Sequence, residues 1–82
     1  MKAKKTSSEK KLDNFFKQIG LNIRAAREAR QMTLEEAEEA GYPSWRHLQK
    51  VESGHPMTLK TLYNVSKAIG VHPSELLDDV KL

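Results

Sequence analysis

Arg46, Gln49 and Lys50 fall within one short run, Ser44-Trp45-Arg46-His47-Leu48-Gln49-Lys50-Val51-Glu52-Ser53. Leu48 and Val51 are three apart and mark an inner helical face, so the three polar side chains point away from it. Their chemistry suits the edges of base pairs. A guanidinium matches guanine bidentately, a carboxamide matches adenine, and an ammonium can hold guanine or a phosphate. The same residues would also serve as the ordinary polar face of a soluble helix. Ser44 at the start of the run joins them as a candidate contact. His55, Thr58 and Lys60 beyond the run are candidates for gripping phosphates, as are Ser53 and Asn22.

Trp45 fits three roles in this run. It can pack on a thymine methyl or the sugar-phosphate wall, fold back over Leu48, or mark a protein interface. Other chemistries find no support in the sequence. His47, His55 and His72 are scattered, with no carboxylate or cysteine at metal-ligand spacing, so surface or capping roles are expected and no metal site. The glycines are isolated near helix ends, and neither a phosphate loop nor a Ser-His-Asp arrangement occurs. No cofactor and no enzymatic activity are expected.

The elements that must position these residues follow from periodicity and stop signals. Residues 1–11 are polar and lysine-rich and read as a flexible basic arm. Residues 12–82 read as one domain. Leu12, Phe15 or Phe16, Ile19, Ile23 and Ala26 make one face of a long first helix. Gly20 inside it costs about 1 kcal/mol relative to alanine, which suggests close packing there. Thr33 and Glu36 form a capping box opening the second helix, and Gly41-Tyr42-Pro43 closes it. Ser44 caps the third helix, and Gly54-His55-Pro56 stops it. Thr58 caps a fourth, with Leu59, Leu62, Val65, Ser66 and Ile69 as its core stripe. His72-Pro73 opens a short fifth, with Leu76 and Leu77 turned inward.

This pattern resembles the helix-turn-helix domain of the phage-repressor (Cro/cI-type) family over roughly residues 19 to 77. The resemblance rests on Ile23, Arg24, Arg27 and Arg30 running into Met32-Thr33, on the spacing from Thr33 to Gly54, and on the closing Thr61–Leu77 segment. It implies an all-α, compact five-helix domain of the lambda-repressor-like type, with the third helix (about 44–53) in the major groove of duplex DNA. It also implies that Arg27 pairs with Glu52, tying the first helix to the third; a solvated helix face is the alternative for Arg27. Where the family often has a phosphate-holding glutamine, this chain has Leu34. Four glutamates follow, so the second helix is expected to be a weak DNA contact. Tyr42 stands where glycine is usual.

Charge gives mild support. The net charge is +3 over 82 residues. Residues 1–32 carry nine Lys/Arg against three acidic residues, whereas residues 33–56 carry Arg46 and Lys50 against five glutamates. Most of the basic footprint therefore lies outside the reading unit. Cysteine is absent, which is compatible with a reducing cytoplasm, the expected location. No apolar run approaches the roughly 20 residues of a membrane span.

The expected function is sequence-specific double-stranded DNA binding by a transcriptional regulator acting by occupancy, as a repressor. A single small module buries little DNA surface, so a homodimer on two half-sites is expected. Its surface is either the fifth helix with Val80 and Leu82, or the Phe15/Phe16 pair, unless both phenylalanines are buried. The basic arm can lie in a minor groove or simply aid solubility. The alternative is a helix-turn-helix fold used as a protein-interaction or antitoxin-like adaptor module, motivated by the acidic second helix, Leu34 and Trp45.

Overall fold

The computed structural model describes residues 5–82. They form five α-helices: α1 (Ser7–Ala29), α2 (Leu34–Glu39), α3 (Trp45–Glu52), α4 (Leu59–Ile69) and α5 (Pro73–Leu76). No strand occurs among the described residues, and none of their helices is long and apolar enough to cross a membrane.

The first helix starts earlier than its composition suggests. Thr6 Oγ1 accepts from the Glu9 amide at 3.1 Å, and the Glu9 carboxylate reaches back to the Thr6 amide. This capping box satisfies orphan amides of the first turn and lets the polar segment enter the helix at Ser7. Lys5 also pairs with Asp13. The flexible arm expected over 1–11 is therefore corrected for residues 7–11, which are helical, while residues 1–4 lie outside the described residues.

A single core holds the helices together. Ile19 and Ile23 of α1, Ala37 of α2, Leu48 and Val51 of α3, Leu62, Val65, Ala68 and Ile69 of α4, and Leu76 of α5 are buried in it. Phe15, Phe16, Ala26, Met32, Leu34, Met57 and Val80 pack on its edge. Ile23, Leu48, Val51, Val65 and Leu76 are fully enclosed. Truncating one of them, as in Leu48→Ala, costs about 2–5 kcal/mol. The buried Ser66 hydroxyl donates to the Leu62 carbonyl at 2.8 Å, so it introduces no orphan polar group.

Three expected core positions are corrected. Leu59 is 83% exposed, because it is the first residue of α4 and projects before the Leu62/Val65/Ile69 stripe begins. Leu77 lies just past the single turn of α5 and is exposed, leaving Leu76 alone to face inward. Leu12 is also exposed, on the rim of a shallow hollow that it shares with Phe15 and Leu82 rather than in the core.

Two side chains of α1 close the chain on itself. Gln18 forms a two-way pair with the Lys81 backbone, at 2.9 Å to its carbonyl and 2.8 Å from its amide. Asn22 Nδ2 donates to the Leu76 and Asp78 carbonyls, each at 3.0 Å. These bonds satisfy carbonyls at and just beyond the end of α5 and tie it to α1.

Candidate nucleic-acid interface

The outward face of α3 is presented by fastenings at both ends. At its start, Ser44 is extended and its hydroxyl accepts from the His47 amide at 3.4 Å. At its end, Gly54 adopts φ +101°, the His55 amide bonds to the Lys50 carbonyl, and the Gly54 amide bonds to the Val51 carbonyl. This left-handed cap satisfies the last carbonyls and turns the chain away sharply. Burial of Leu48 and Val51 then fixes the rotation of α3 and leaves Arg46, His47, Gln49 and Lys50 exposed.

The turn from α2 into α3 is built the same way. Gly41 adopts φ +119°, its amide bonds to the Glu38 carbonyl, and the Tyr42 amide bonds to the Ala37 carbonyl. Tyr42 and Ala37 are both buried, the apolar contact that accompanies such a cap. Pro43 and Ser44 then lead into α3.

Helix α1 braces α3 from behind. Arg27 Nε and Nη2 donate to the two Glu52 carboxylate oxygens at 2.7 and 2.9 Å, and Arg27 Nη1 donates to the Met32 carbonyl at 2.7 Å. The two side chains are 11% and 7% exposed. Hydrogen bonding by Glu52 holds the Arg27 guanidinium above its usual pKa range, against the opposing effect of burial. A few residues earlier, Gly20 meets the end of α3 directly. A Cβ at that position would lie 2.6 Å from the Glu52 carbonyl oxygen and 2.7 Å from that of Val51. The expected Arg27–Glu52 tie and the expected close approach at Gly20 are both present, and they act on the same two turns.

On the exposed face, Arg46 Cζ lies 4.9 Å from the Trp45 ring centroid. Stacking engages the flat face of the guanidinium and leaves the donors on its edge free. Trp45 is half-buried and is not among the residues that form the core. Gln49 borders a concavity with Arg24, Arg27, Leu34, Glu52 and Ser53. Lys50, His55 and Lys60 are exposed.

Other candidates have their polar atoms engaged within the fold. Thr58 Oγ1 accepts from the Thr61 amide and donates to the Thr61 hydroxyl, so its hydrogen-bonding serves the α4 cap. Ser53 donates to the Gln49 carbonyl at 2.9 Å, and Asn22 holds the α5 end as described. Of the candidate phosphate contacts, Lys50, His55 and Lys60 have exposed side chains for which no hydrogen bond is seen among the described residues. In α2, Glu35, Glu36, Glu38 and Glu39 are all exposed. Hydrogen bonds from the Thr33 backbone amide, and then its hydroxyl, hold the Glu36 carboxyl below its ordinary pKa.

Tyr42 and His47 make a contact that helical periodicity does not mark. The Tyr42 hydroxyl is 2.6 Å from His47 Nδ1, with the two rings stacked 19° from parallel. A legible signal was the aromatic residue directly after Gly41, since that position of a left-handed cap favours an apolar side chain folded back on the helix. His72, by contrast, caps α5 through Nδ1, which accepts from the Ser74 amide. Comparison of the chain with protein-family models, with curated proteins and with solved structures gave no match.

Proposed function

We propose that this chain is a lambda-repressor-like helix-turn-helix domain that binds duplex DNA sequence-specifically and regulates transcription by occupancy. The observation that carries the reading is the combination of a rigidly braced α3 and an outer face with free donors. Glu52 and the Gly20 contact hold the helix. Arg46, Gln49 and Lys50 are exposed, and among the described residues their side chains make no hydrogen bond to the rest of the fold. Base readout requires side chains whose donors and acceptors are unengaged until DNA arrives, on a helix that does not shift.

A two-fold dimer is part of this reading, because one module of this size covers only about 600–1,000 Å² of DNA-binding surface. An apolar groove lined by Phe15, Phe16, Ile19, Met57, Leu59, Leu62 and Leu77 supports it. Leu82 and Leu12 border a second apolar hollow that shares Phe15. The dimer surface proposed from the tail and the one proposed from the phenylalanines thus become one face, with Leu59 and Leu82 protruding from it. Val80 turns into its own core and does not contribute.

The test is selection from a random duplex pool at two salt concentrations, with Arg46→Ala alongside. An enriched inverted repeat, bound less tightly as salt rises and lost in the Arg46→Ala variant with its fold intact, is the expected result. Unchanged binding in that variant would refute the site. The exposed acidic α2 favours a second reading, a protein-interaction or antitoxin-like adaptor. Absence of any enriched sequence, with a partner lost on Trp45→Ala, would favour it.

A further inference from the structure

His47 lies on the exposed flank of α3, and its ring is gripped by a buried neighbour. The Tyr42 and His47 ring centroids are 5.9 Å apart, and the phenol oxygen is 2.6 Å from Nδ1. Tyr42 is only 3% exposed, because the turn after Gly41 folds it into the core beside Ala37. Among the described residues, His47 Nδ1 is the hydrogen-bond partner of this hydroxyl. A phenol beside a neutral imidazole is fully satisfied when it donates to the bare ring nitrogen. The reverse arrangement would leave a buried phenol proton without an acceptor. Donation to Nδ1 fixes the ring proton on Nε2, on the edge of the imidazole away from Tyr42. It also fixes the ring against flipping, since a flip would place a carbon against the phenol.

Resting on the DNA-binding reading, we propose that Tyr42 positions His47 as a donor-only reader of an acceptor on a major-groove base edge. The acceptors available there are guanine N7 or O6, adenine N7 and thymine O4. The helical step of about 100° per residue puts Arg46 and Lys50 at the centre of the outer face, with Gln49 on one side and His47 on the other. His47 thereby extends the row of base-reading groups across the width of α3. A fixed N–H also discriminates by exclusion, because cytosine presents only a donor at that edge. A single N–H aimed at a base edge adds little general attraction to phosphate, so its effect falls on sequence preference.

The test has a structural arm and a binding arm. Ring-nitrogen NMR of the free, isotope-labelled protein, above the histidine titration, should show His47 in one tautomer with its proton on Nε2. Tyr42→Phe should release it into exchange between both tautomers. A wild-type proton on Nδ1, or populations unchanged in Tyr42→Phe, would overturn the positioning role.

In the binding arm, wild type and the His47→Ala, His47→Gln and Tyr42→Phe variants are selected against the same random duplex pool, with thermal melts to confirm folding. His47→Ala should lose preference at one base pair per half-site and bind the wild-type sequence about tenfold more weakly. His47→Gln, which keeps an amide donor, should recover part of that preference, and Tyr42→Phe should relax the same position. An unchanged preference in His47→Ala would mean the pair only closes the turn, and uniform weakening on all sequences would mean a phosphate contact. Either result overturns the inference while leaving the DNA-binding reading in place. Failure of the wild type to enrich any sequence overturns both.

Discussion

Arg27 and Glu52 meet as two parallel hydrogen bonds, 2.7 and 2.9 Å long, that join the last turn of α1 to the last turn of α3. Both side chains are largely out of water, so each charge depends on the other for its solvation. Glu52→Ala or Arg27→Ala should therefore destabilise the fold by about 3 kcal/mol in urea unfolding. Replacing both together, Arg27→Met with Glu52→Leu, should recover most of that loss. A single variant as stable as wild type would show that the pair is not a fastening.

Gly20→Ala sets helix propensity against packing. Alanine favours the helix by about 1 kcal/mol, but its Cβ would meet two backbone carbonyl oxygens of α3 that have no flexible end to move aside. The net expectation is a loss of about 1–2 kcal/mol with helix content preserved by circular dichroism. A gain in stability would mean that α3 can retreat freely from α1.

Gln31 ends α1 in the left-handed region, at φ 52°, where the other long helix cap uses Gly70. Gln31→Gly should remove that strain and raise stability by roughly 0.5–1 kcal/mol, or about 4 °C in Tm. Gln31→Ala should give no such gain, since alanine meets the same steric penalty. Calorimetry on the pair of variants separates the two outcomes.

Burial pushes the Tyr42 phenol above its ordinary pKa of 10.0. The folded state keeps this proton after the unfolded chain has lost it, so the contribution is fully present below pH 10 and is lost as pH rises beyond it. Wild type should weaken in urea as pH rises above 10. Tyr42→Phe should begin about 1 kcal/mol less stable and show a shallower alkaline decline. Parallel declines would place the alkaline sensitivity elsewhere.

Most helix boundaries are legible because each is written locally: Thr33, Ser44 and Thr58 cap with their hydroxyls, and Gly41, Gly54 and Gly70 close with positive φ. Leu48 and Val51 likewise declare the inner face of α3. What local pattern conceals is tertiary pairing. Asn22 looks like a free polar side chain until α5, more than 50 positions later, brings two carbonyls to it. Tyr42 looks like a turn residue until the core receives its ring and His47 its hydroxyl. The Thr6–Glu9 box was readable, but the lysines around it suggest a solvated segment, and composition carries no information about a cap. Leu59 and Leu12 show the converse limit, since periodicity marks a stripe without saying how far the neighbouring helices extend along it.

The clasp between Gln18 and Lys81 fixes the point and direction at which the polypeptide departs from the folded body. A fluorophore, linker or fused domain joined at Leu82 would begin its path beside Leu12 and Phe15 rather than sweeping a wide cone. That makes position 82 a ruler mark: in a symmetric pair sharing the apolar face, as proposed above, two such labels would sit close together, and energy transfer between them would report association without any mutation of the interface.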